Sequence, residues 1–247
     1  LEQVNDQGFF LVELGYNEQL RGNDSLATVF YSRAIEGIAQ NKMNTYRVAT
    51  TFQNHNLLEL AVNAYETGSI ANDTANYDIQ LAKLYGELGE VEKMYNAYLN
   101  LVNKNPKYIA VAQRTFSNYI TEDPLNEANI KFRKTILKRL QTEQNVLYNE
   151  LLSWLFIQQK DYSKAFVQEK AIYRRTDGSF NGLVNLADIA IASKDFFIAK
   201  EILEFLKENI VNEDIQFESE QKLLEIAITE AQSDDDKMAI KSRFEEL

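Results

Sequence analysis

The feature that most constrains the fold of this chain is a short residue pattern that returns about every 34 residues. The pattern has a turn residue as its anchor, a small residue three positions later and a bulky residue seven positions later, as in Asp24, Ala27 and Tyr31. Met94 departs from it at the small position of the third copy, and Glu169 at the bulky position of the fifth. The anchors are separated by 34, 33, 34, 37 and 34 residues and are Asp24, Leu58, Val91, Leu125, Tyr162 and Phe196. A fixed period of this length is the sequence signature of a repeat architecture.

A second column of mostly small residues lies nine positions before each anchor. Its members are Gly15, Ala49, Ala82, Phe116, Ser153 and Ala187, of which only Phe116 is large. Small residues at matched places on two successive helices let the helix backbones approach closely. Each repeat is therefore predicted to be a pair of antiparallel helices that is stable only when it stacks on its neighbours.

The residues near the anchors predict where helices end and begin. Gly22 and Gly89 lie two positions before their anchors, where the chain reverses and glycine can adopt a left-handed conformation. Asp123-Pro124 is predicted to open the fourth unit's second helix as an N-cap followed by proline in the first helical position. Asp161 and Asp195 are predicted to be equivalent caps.

The composition favours helices and limits the classes of partner. The 247 residues include only nine glycines and two prolines, which leaves few residues for the tight turns of an all-β fold. The net charge of −11 opposes binding to phosphate backbones, so no nucleic acid is expected as a partner. No apolar run approaches the length that crosses a bilayer, so no membrane insertion is expected within this fragment. The absence of cysteine excludes disulfides and thiol catalysis.

These positions resemble the pattern of the tetratricopeptide-repeat family. Residues 75–106 carry its small, aromatic, glycine, aromatic and proline positions as Ala82, Tyr85, Gly89, Tyr98 and Pro106, with Met94 where the family has alanine. Residues 146–178 and 180–211 match in part, and Glu169 and Ala190 stand there in place of aromatic residues. The resemblance covers roughly residues 8–211 and implies an all-α, right-handed α-solenoid of about six to seven helix-turn-helix repeats.

The predicted domain organisation is a single α-solenoid domain over residues 1–247. The repeats are expected near residues 8–40, 42–74, 75–107, 109–143, 146–178 and 180–211. Residues 212–247 are predicted to form a degenerate repeat or capping helices, with helices around 214–231 and 235–247. The alternative is that they begin a further domain.

The resemblance also implies a binding face, because the first helices of such repeats line the concave surface. Trp154 is its predicted centre, since exposed tryptophans are frequent binding anchors and the stretch 147–157 is apolar around most of its circumference. Burial of Trp154 in the core, or its packing against the next superhelical turn, is the alternative interpretation. The predicted partner-binding residues are Tyr16, Tyr46, Lys83, Glu87, Gln113, Ile120, Glu150, Trp154, Ile157, Val184 and Asp188.

No residue pattern predicts catalysis, a cofactor or a metal site. His55 is the only histidine, and it is interpreted as a solvated turn residue without the partners that a metal site or a charge relay needs. The segment 86–89 has two glycines but lacks the Lys-Ser/Thr pair of a phosphate loop. The chain is therefore predicted not to be an enzyme.

One basic cluster interrupts the acidic chain and consists of Lys131, Arg133, Lys134, Lys138 and Arg139. Spacing of three and four places Lys131, Lys134 and Lys138 on one helix face, opposite Phe132 and Ile136. Two interpretations stay open. The cluster is either the outer surface of a second helix or a docking patch for an acidic partner.

The predicted function is that of a non-catalytic scaffold that binds a peptide or helix of a partner protein on its concave face. One alternative is a structural or assembly subunit of a larger cell-envelope complex, in which copies of the chain could form a homo-oligomer. Another alternative is an accessory domain of a longer enzyme. The partner itself cannot be read from the residues.

The predicted location is the periplasm or cell envelope, with the cytoplasm as the alternative. The start Leu1-Glu2-Gln3 predicts an excised fragment, so a signal peptide would lie outside the sequence. The lack of cysteine and the richness in Asn, Tyr and acidic residues resemble envelope proteins of bacteria related to Bacteroidetes. Asp24-Ser25-Leu26 and Asp73-Thr74-Ala75 resemble the short O-glycosylation signal of that group.

Overall fold

A computed structural model of the protein describes residues 8–72 and 74–233, together with Met238, Ile240 and Ser242. Over these residues the chain forms thirteen α-helices and no β-strand. The predicted all-α fold of repeated helix pairs is confirmed. The chain divides into two compact units, Leu1–Phe116 (unit 1) and Ser117–Leu247 (unit 2), and the expectation of a single domain stays a prediction.

Unit 1 is built from successive helices that pack as pairs, α1 with α2, α3 with α4 and α5 with α6. Neighbouring pairs also touch, through α1 and α3, α2 and α4, and α4 and α5. The helices are α1 (Gly8–Leu20), α2 (Asp24–Gln40), α3 (Thr45–Asn54), α4 (Leu58–Ala71), α5 (Asp78–Glu87), α6 (Val91–Lys104) and α7 (Ile109–Phe116).

Unit 2 continues the same construction, with α9 packed on α10, α11 on α12, and α13 on α12. Helix α8 packs on α9, and α10 on α11. The helices are α8 (Glu127–Leu140), α9 (Val146–Gln158), α10 (Tyr162–Arg175), α11 (Asn181–Ala192), α12 (Phe196–Asn209) and α13 (Glu213–Glu230).

The two columns of small residues lie inside these helix pairs. All six members of the column nine positions before the anchors are buried, including the large Phe116. In the column three positions after the anchors, five of the six members are buried, and Ala128 is half-buried. The periodic small residues therefore mark the close contacts between helices, as their spacing predicts.

Five turns between paired helices share one backbone conformation. The residue two positions before the second helix has a positive φ, between 56° and 81°, and these residues are Gly22, Asn56, Gly89, Lys160 and Lys194. The following helices α10 and α12 begin at caps as predicted, because Asp161 accepts a hydrogen bond from the Lys164 amide and Asp195 from the Ile198 amide.

The prediction that Asp123-Pro124 caps a helix is wrong. Helix α8 begins at Glu127, and its cap is Asn126, which accepts a hydrogen bond from the Ala128 amide at 2.9 Å. The Asp123 side chain instead accepts a hydrogen bond from the Leu125 amide at 2.9 Å. A side chain that bonds its own backbone two residues on stabilises a turn rather than a helix start, so the helix is delayed.

The tail begins with α13 (Glu213–Glu230), where the first of its two helices is expected. Asn212 caps this helix by accepting a hydrogen bond from the Ile215 amide at 3.1 Å. The second expected helix, over 235–247, lies largely outside the described residues.

Candidate protein-binding site

Helix α9 carries the centre of the predicted site and is buried around most of its circumference. Its buried apolar side chains are Tyr148, Leu151, Leu152, Leu155 and Phe156. Glu150, Trp154 and Ile157 share the remaining face, because positions three and four apart lie on the same side of a helix. All three are half-buried, and we call them the α9 stripe. The stripe combines a carboxyl group, an indole and an aliphatic side chain that solvent can reach.

Trp154 is held on one side by the core. Its ring meets that of Phe132 in α8 edge to face, with ring centroids 6.1 Å apart and an interplanar angle of 87°. Phe132 is fully buried, and such pairs add about 0.5–1.5 kcal/mol to the gain from burial. The exposed part of the indole is therefore presented by a supported ring.

A buried carboxyl group lies behind the α9 stripe. Glu169 of α10 accepts a hydrogen bond at Oε1 from the hydroxyl of Ser153 in α9. Its Oε2 lies so close to Gly182 of α11 that a Cβ at that position would clash with it. Gly182 is thus the residue that gives the carboxyl group room, and three helices meet around Glu169.

Burial changes the proton affinity of this region. Burial raises the pKa of Glu169, and the hydrogen bond from Ser153 opposes part of the rise. The pKa of Glu150 is also raised, mainly by burial and secondarily by repulsion from the nearby Glu169 carboxylate. Neither glutamate forms an ion pair with a described lysine or arginine. No described cation therefore compensates either carboxyl group in its ionised form.

The predicted site residues of α11 lie against α13. Asp188 forms an ion pair with Lys222 of α13, with Oδ1 and Nζ 2.6 Å apart. Val184 is half-buried and borders a small crevice that Lys222 also lines. Ile120 is buried before α8 and offers little surface to a partner.

The predicted residues of unit 1 differ widely in exposure. Tyr46 is 55% exposed, and Lys83 and Glu87 are exposed on α5, whereas Gln113 is half-buried on α7. Tyr16 is partly covered, because its ring stacks on that of His55 with centroids 3.8 Å apart.

The interpretation of His55 as a solvated turn residue is wrong. His55 does follow α3 at the turn, but its side chain is only 18% exposed, and its Nε2 lies 3.1 Å from Oε2 of Glu13. The ring therefore connects the turn after α3 to Glu13 and Tyr16 on α1. Glu13 and His55 are 42 residues apart, and no local sequence pattern indicates their contact.

Two open grooves lie between second helices, where the sequence predicts no site. The groove between α2 and α4 has a volume of about 570 Å³ and is lined by residues that include Tyr31, Ile35 and Leu60. The groove between α10 and α12 has a volume of about 620 Å³ and is lined by residues that include Phe166, Phe197 and Phe205. Both are surfaces that a protein segment could cover.

Neither a metal-binding cluster nor a membrane-spanning helix occurs within the described ranges. No three histidine, aspartate or glutamate side chains there come close enough together to hold a metal ion. None of the helices in that part of the chain combines the length and apolarity that crossing a lipid bilayer requires.

Comparison with known proteins gives a distant likeness among solved structures. No family model matches the chain, and no curated protein is similar to it. A similar solved structure is the crystal structure of a tetratricopeptide repeat protein from Parabacteroides merdae, with 18% sequence identity and a TM-score of 0.34. The alignment covers 95% of this chain and 98% of that chain. The assignment of an all-α repeat fold rests on the helices of this chain, and helical-repeat folds generally present extended surfaces for protein partners.

Proposed function

We propose that this protein is a non-catalytic interaction module that binds a segment of a partner protein at the α9 stripe of unit 2. The observation that carries the proposal is the half-buried Trp154, supported by Phe132 and flanked on its own helix by Glu150 and Ile157. A supported aromatic ring at the centre of an otherwise packed surface is typical of the residues that dominate binding energy.

The proposed partner segment presents a lysine or arginine next to an apolar side chain. A cation would lie between the uncompensated Glu150 carboxyl group and the face of the indole, where both attract positive charge. The apolar neighbour would cover Ile157. Because a bound cation favours the ionised glutamates, we expect affinity to rise as pH increases through the raised pKa of Glu150.

Peptides selected from a random display library on the intact protein test this proposal. The selected peptides should be rich in Lys or Arg, and their titration should change the emission of Trp154, the single tryptophan of the chain. Trp154→Ala should weaken binding at least about tenfold, and Glu150→Gln should weaken it less and reduce its salt dependence.

Phe197→Ala is the matched control, because Phe197 is an exposed aromatic residue on α12, outside the α9 stripe. It should leave peptide affinity unchanged. Equal affinity for wild type and Trp154→Ala would overturn the proposal, as would a selection in which no peptide alters Trp154 emission.

The other predicted contact residues extend this proposal. Asp188 could take part once it exchanges Lys222 for a partner's cation. The contacts predicted for Tyr16, Tyr46, Lys83, Glu87 and Gln113 in unit 1, and for Ile120 and Val184 in unit 2, stay predictions. Alanine variants tested with the selected peptides would measure each contribution.

The accessory-domain alternative concerns the longer protein. The absence of a catalytic constellation in the predicted pattern supports a non-catalytic role for this segment, and the full reading frame tests the alternative. A full reading frame that encodes no domain with a catalytic motif would contradict the accessory-domain alternative.

We further propose the periplasm or cell envelope as the location. The composition supports this location. The glycosylation-like segment Asp24-Ser25-Leu26 supports it too, because Ser25 is exposed to solvent. Ser25 lies in the first turn of α2 and not in a loop. In the second glycosylation-like segment, Asp73 lies outside the described residues. Glycan staining of wild type and Ser25→Ala from fractionated native cells tests the location, and recovery in the cytoplasmic fraction alone would contradict it.

A further inference from the structure

Helix α8 presents a face that is both basic and apolar. This α8 stripe consists of Ile130, Arg133, Lys134, Leu137, Lys138 and Gln141. Ile130 and Leu137 are 39% and 46% exposed, although Phe132 on the opposite face is fully buried. Within the part of the chain that the structure describes, Lys134 and Lys138 form no ion pair. The stripe is thus an apolar strip with free positive charges.

The groove between α10 and α12 has the opposite chemistry. The α10–α12 groove is lined by Phe166, Lys170, Phe197, Lys200, Glu201, Glu204, Phe205 and Glu208. Phe166 and Phe205 form its aromatic floor, with centroids 5.8 Å apart and an interplanar angle of 83°. Phe197 is 69% exposed, which is a large apolar surface to leave in water.

Carboxylates outnumber lysines in this groove, by three to two, and two of the carboxylates have no ion-pair partner in the described part of the chain. Lys170 lies over an aromatic ring of the floor, 4.0 Å from its centroid, and Lys200 pairs with Glu230 at 2.8 Å. Glu201 and Glu208 form no ion pair with any described residue. Two carboxylates therefore border the aromatic floor without a cation of their own.

We propose that a second copy of this chain places its α8 stripe in the α10–α12 groove. Ile130 to Gln141 and Phe197 to Glu208 each span eleven positions, about 16 Å of helix at 1.5 Å per residue. Ile130 and Leu137 would contact the phenylalanines, and Lys134 and Lys138 would pair with the free glutamates. Both surfaces are open in the same molecule, so the contact forms between molecules.

The proposed contact is heterologous, because two different surfaces meet. Each copy keeps one free stripe and one free groove, so association continues from dimers to longer assemblies as concentration rises. A single helix in a groove buries less than the roughly 1,200 Å² of a stable interface, so the contact is weak and reversible. It uses neither Trp154 nor Glu150, and it does not depend on the proposed peptide binding.

Sedimentation equilibrium on the intact protein, from about 10 µM to about 1 mM, tests this inference. The mean mass of the wild type should rise with concentration and fall when salt is added. Lys134→Glu/Lys138→Glu should stay monomeric because its acidic stripe meets an acidic groove. Glu201→Lys/Glu208→Lys should stay monomeric because both of its surfaces are basic. All four positions are exposed, so helicity should be unchanged.

Mixing the two variants gives the sharpest result. The groove of the first variant keeps its glutamates, and the stripe of the second keeps its lysines, so an equimolar mixture should associate although neither variant does so alone. The remaining stripe is acidic and the remaining groove is basic, so this charge-reversed pair also attracts, and the mean mass should rise with concentration as in the wild type.

Lys42→Glu/Lys107→Glu is the control for net charge, because it makes the same change at two exposed lysines of unit 1. It should associate as the wild type does. The inference is overturned if the wild type stays monomeric throughout, if neither reversed variant affects association, if this control abolishes association equally, or if the mixture does not associate.

Discussion

Among single residues, Glu169 has the clearest energetic conflict with its surroundings. Its carboxyl group is buried between α9, α10 and α11, and Ser153 donates its one described hydrogen bond. Removing an ionised carboxyl group from water is costly unless charges or several hydrogen bonds compensate. The raised pKa expresses this cost, because the buried side chain favours its neutral form.

Glu169→Gln should therefore stabilise unit 2 at neutral pH. The amide keeps the shape and the contact with Ser153 but carries no charge, so we expect a gain of about 1–3 kcal/mol at pH 7.5. In the wild type, the raised pKa contributes stability that is present below the ordinary glutamate pKa of 4.5 and is lost as pH rises through the folded value. The difference in free energy of unfolding between Glu169→Gln and the wild type should increase from pH 4.5 to pH 7.5. Urea unfolding followed by Trp154 emission measures it.

Glu225→Gln is the control for this experiment, since Glu225 is an exposed carboxylate on α13. Its stability relative to wild type should show no such dependence on pH. If the difference in free energy of unfolding between Glu169→Gln and the wild type is constant from pH 4.5 to 7.5, burial of an ionised Glu169 is not the cause of the stability gain.

The sequence predicts the candidate site only in part. Glu169 is visible as the residue that replaces an aromatic in the repeat pattern, but burial of its carboxyl group depends on Ser153 and on the space left by Gly182. The contact of His55 with Glu13 joins residues 42 positions apart, and periodicity carries no information about such a pair. The site residues as a set stay predictions.

At the scale of elements, the left-handed turn residues show how one backbone geometry accepts different side chains. Gly89 has a φ of 73° and Lys194 a φ of 61° at equivalent places. For a residue with a Cβ this conformation is strained by about 1–2 kcal/mol, and glycine adopts it freely. The lysine is tolerated because the helices on both sides fix the reversal.

Exchanging side chains at these turns should change stability in opposite directions. Gly89→Ala should cost about 1 kcal/mol, although nothing lies within 4 Å of an added Cβ, because the strain is in the backbone. Lys194→Gly should gain about 0.5–1 kcal/mol, after the greater flexibility of glycine in the unfolded chain is subtracted. Urea unfolding at pH 7 measures both changes.

Lys107→Gly provides the comparison, because Lys107 is exposed in the short 3-10 helix Pro106–Tyr108 and has no positive φ. Glycine there should destabilise by about 0.5–1 kcal/mol. If Lys194→Gly and Lys107→Gly destabilise to the same extent, backbone strain at the turn is not the cause.

Helix positions follow from the sequence because small and bulky residues recur with a fixed period. Paired helices, their caps at Asp161 and Asp195, and the glycine turns are all local consequences of that pattern. The reversal before α8 is different. There Asn129 binds the carbonyl oxygens of Thr121 and Asp123 through its amide, at 2.7 Å each, and this contact is specific to one loop.

At the scale of the whole molecule, each compact unit has a core of its own. Val48 and Phe52 are fully buried in unit 1, and Phe132 and Leu155 are fully buried in unit 2. In repeat architectures, stability is the sum of the repeats and their nearest-neighbour contacts, so distant repeats need not unfold together. The single tryptophan lies in unit 2, so its emission reports on that unit alone, whereas circular dichroism reports on both.

We therefore expect the two signals to disagree during urea unfolding. Val48→Ala removes buried methyl groups from unit 1 and should destabilise it by about 2 kcal/mol. The circular-dichroism curve should then begin its decline at lower urea while the Trp154 emission midpoint stays in place. Glu169→Gln should move the emission midpoint to higher urea and leave the unit 1 part of the curve unchanged. If Val48→Ala shifts both signals equally, the two units unfold as one cooperative body.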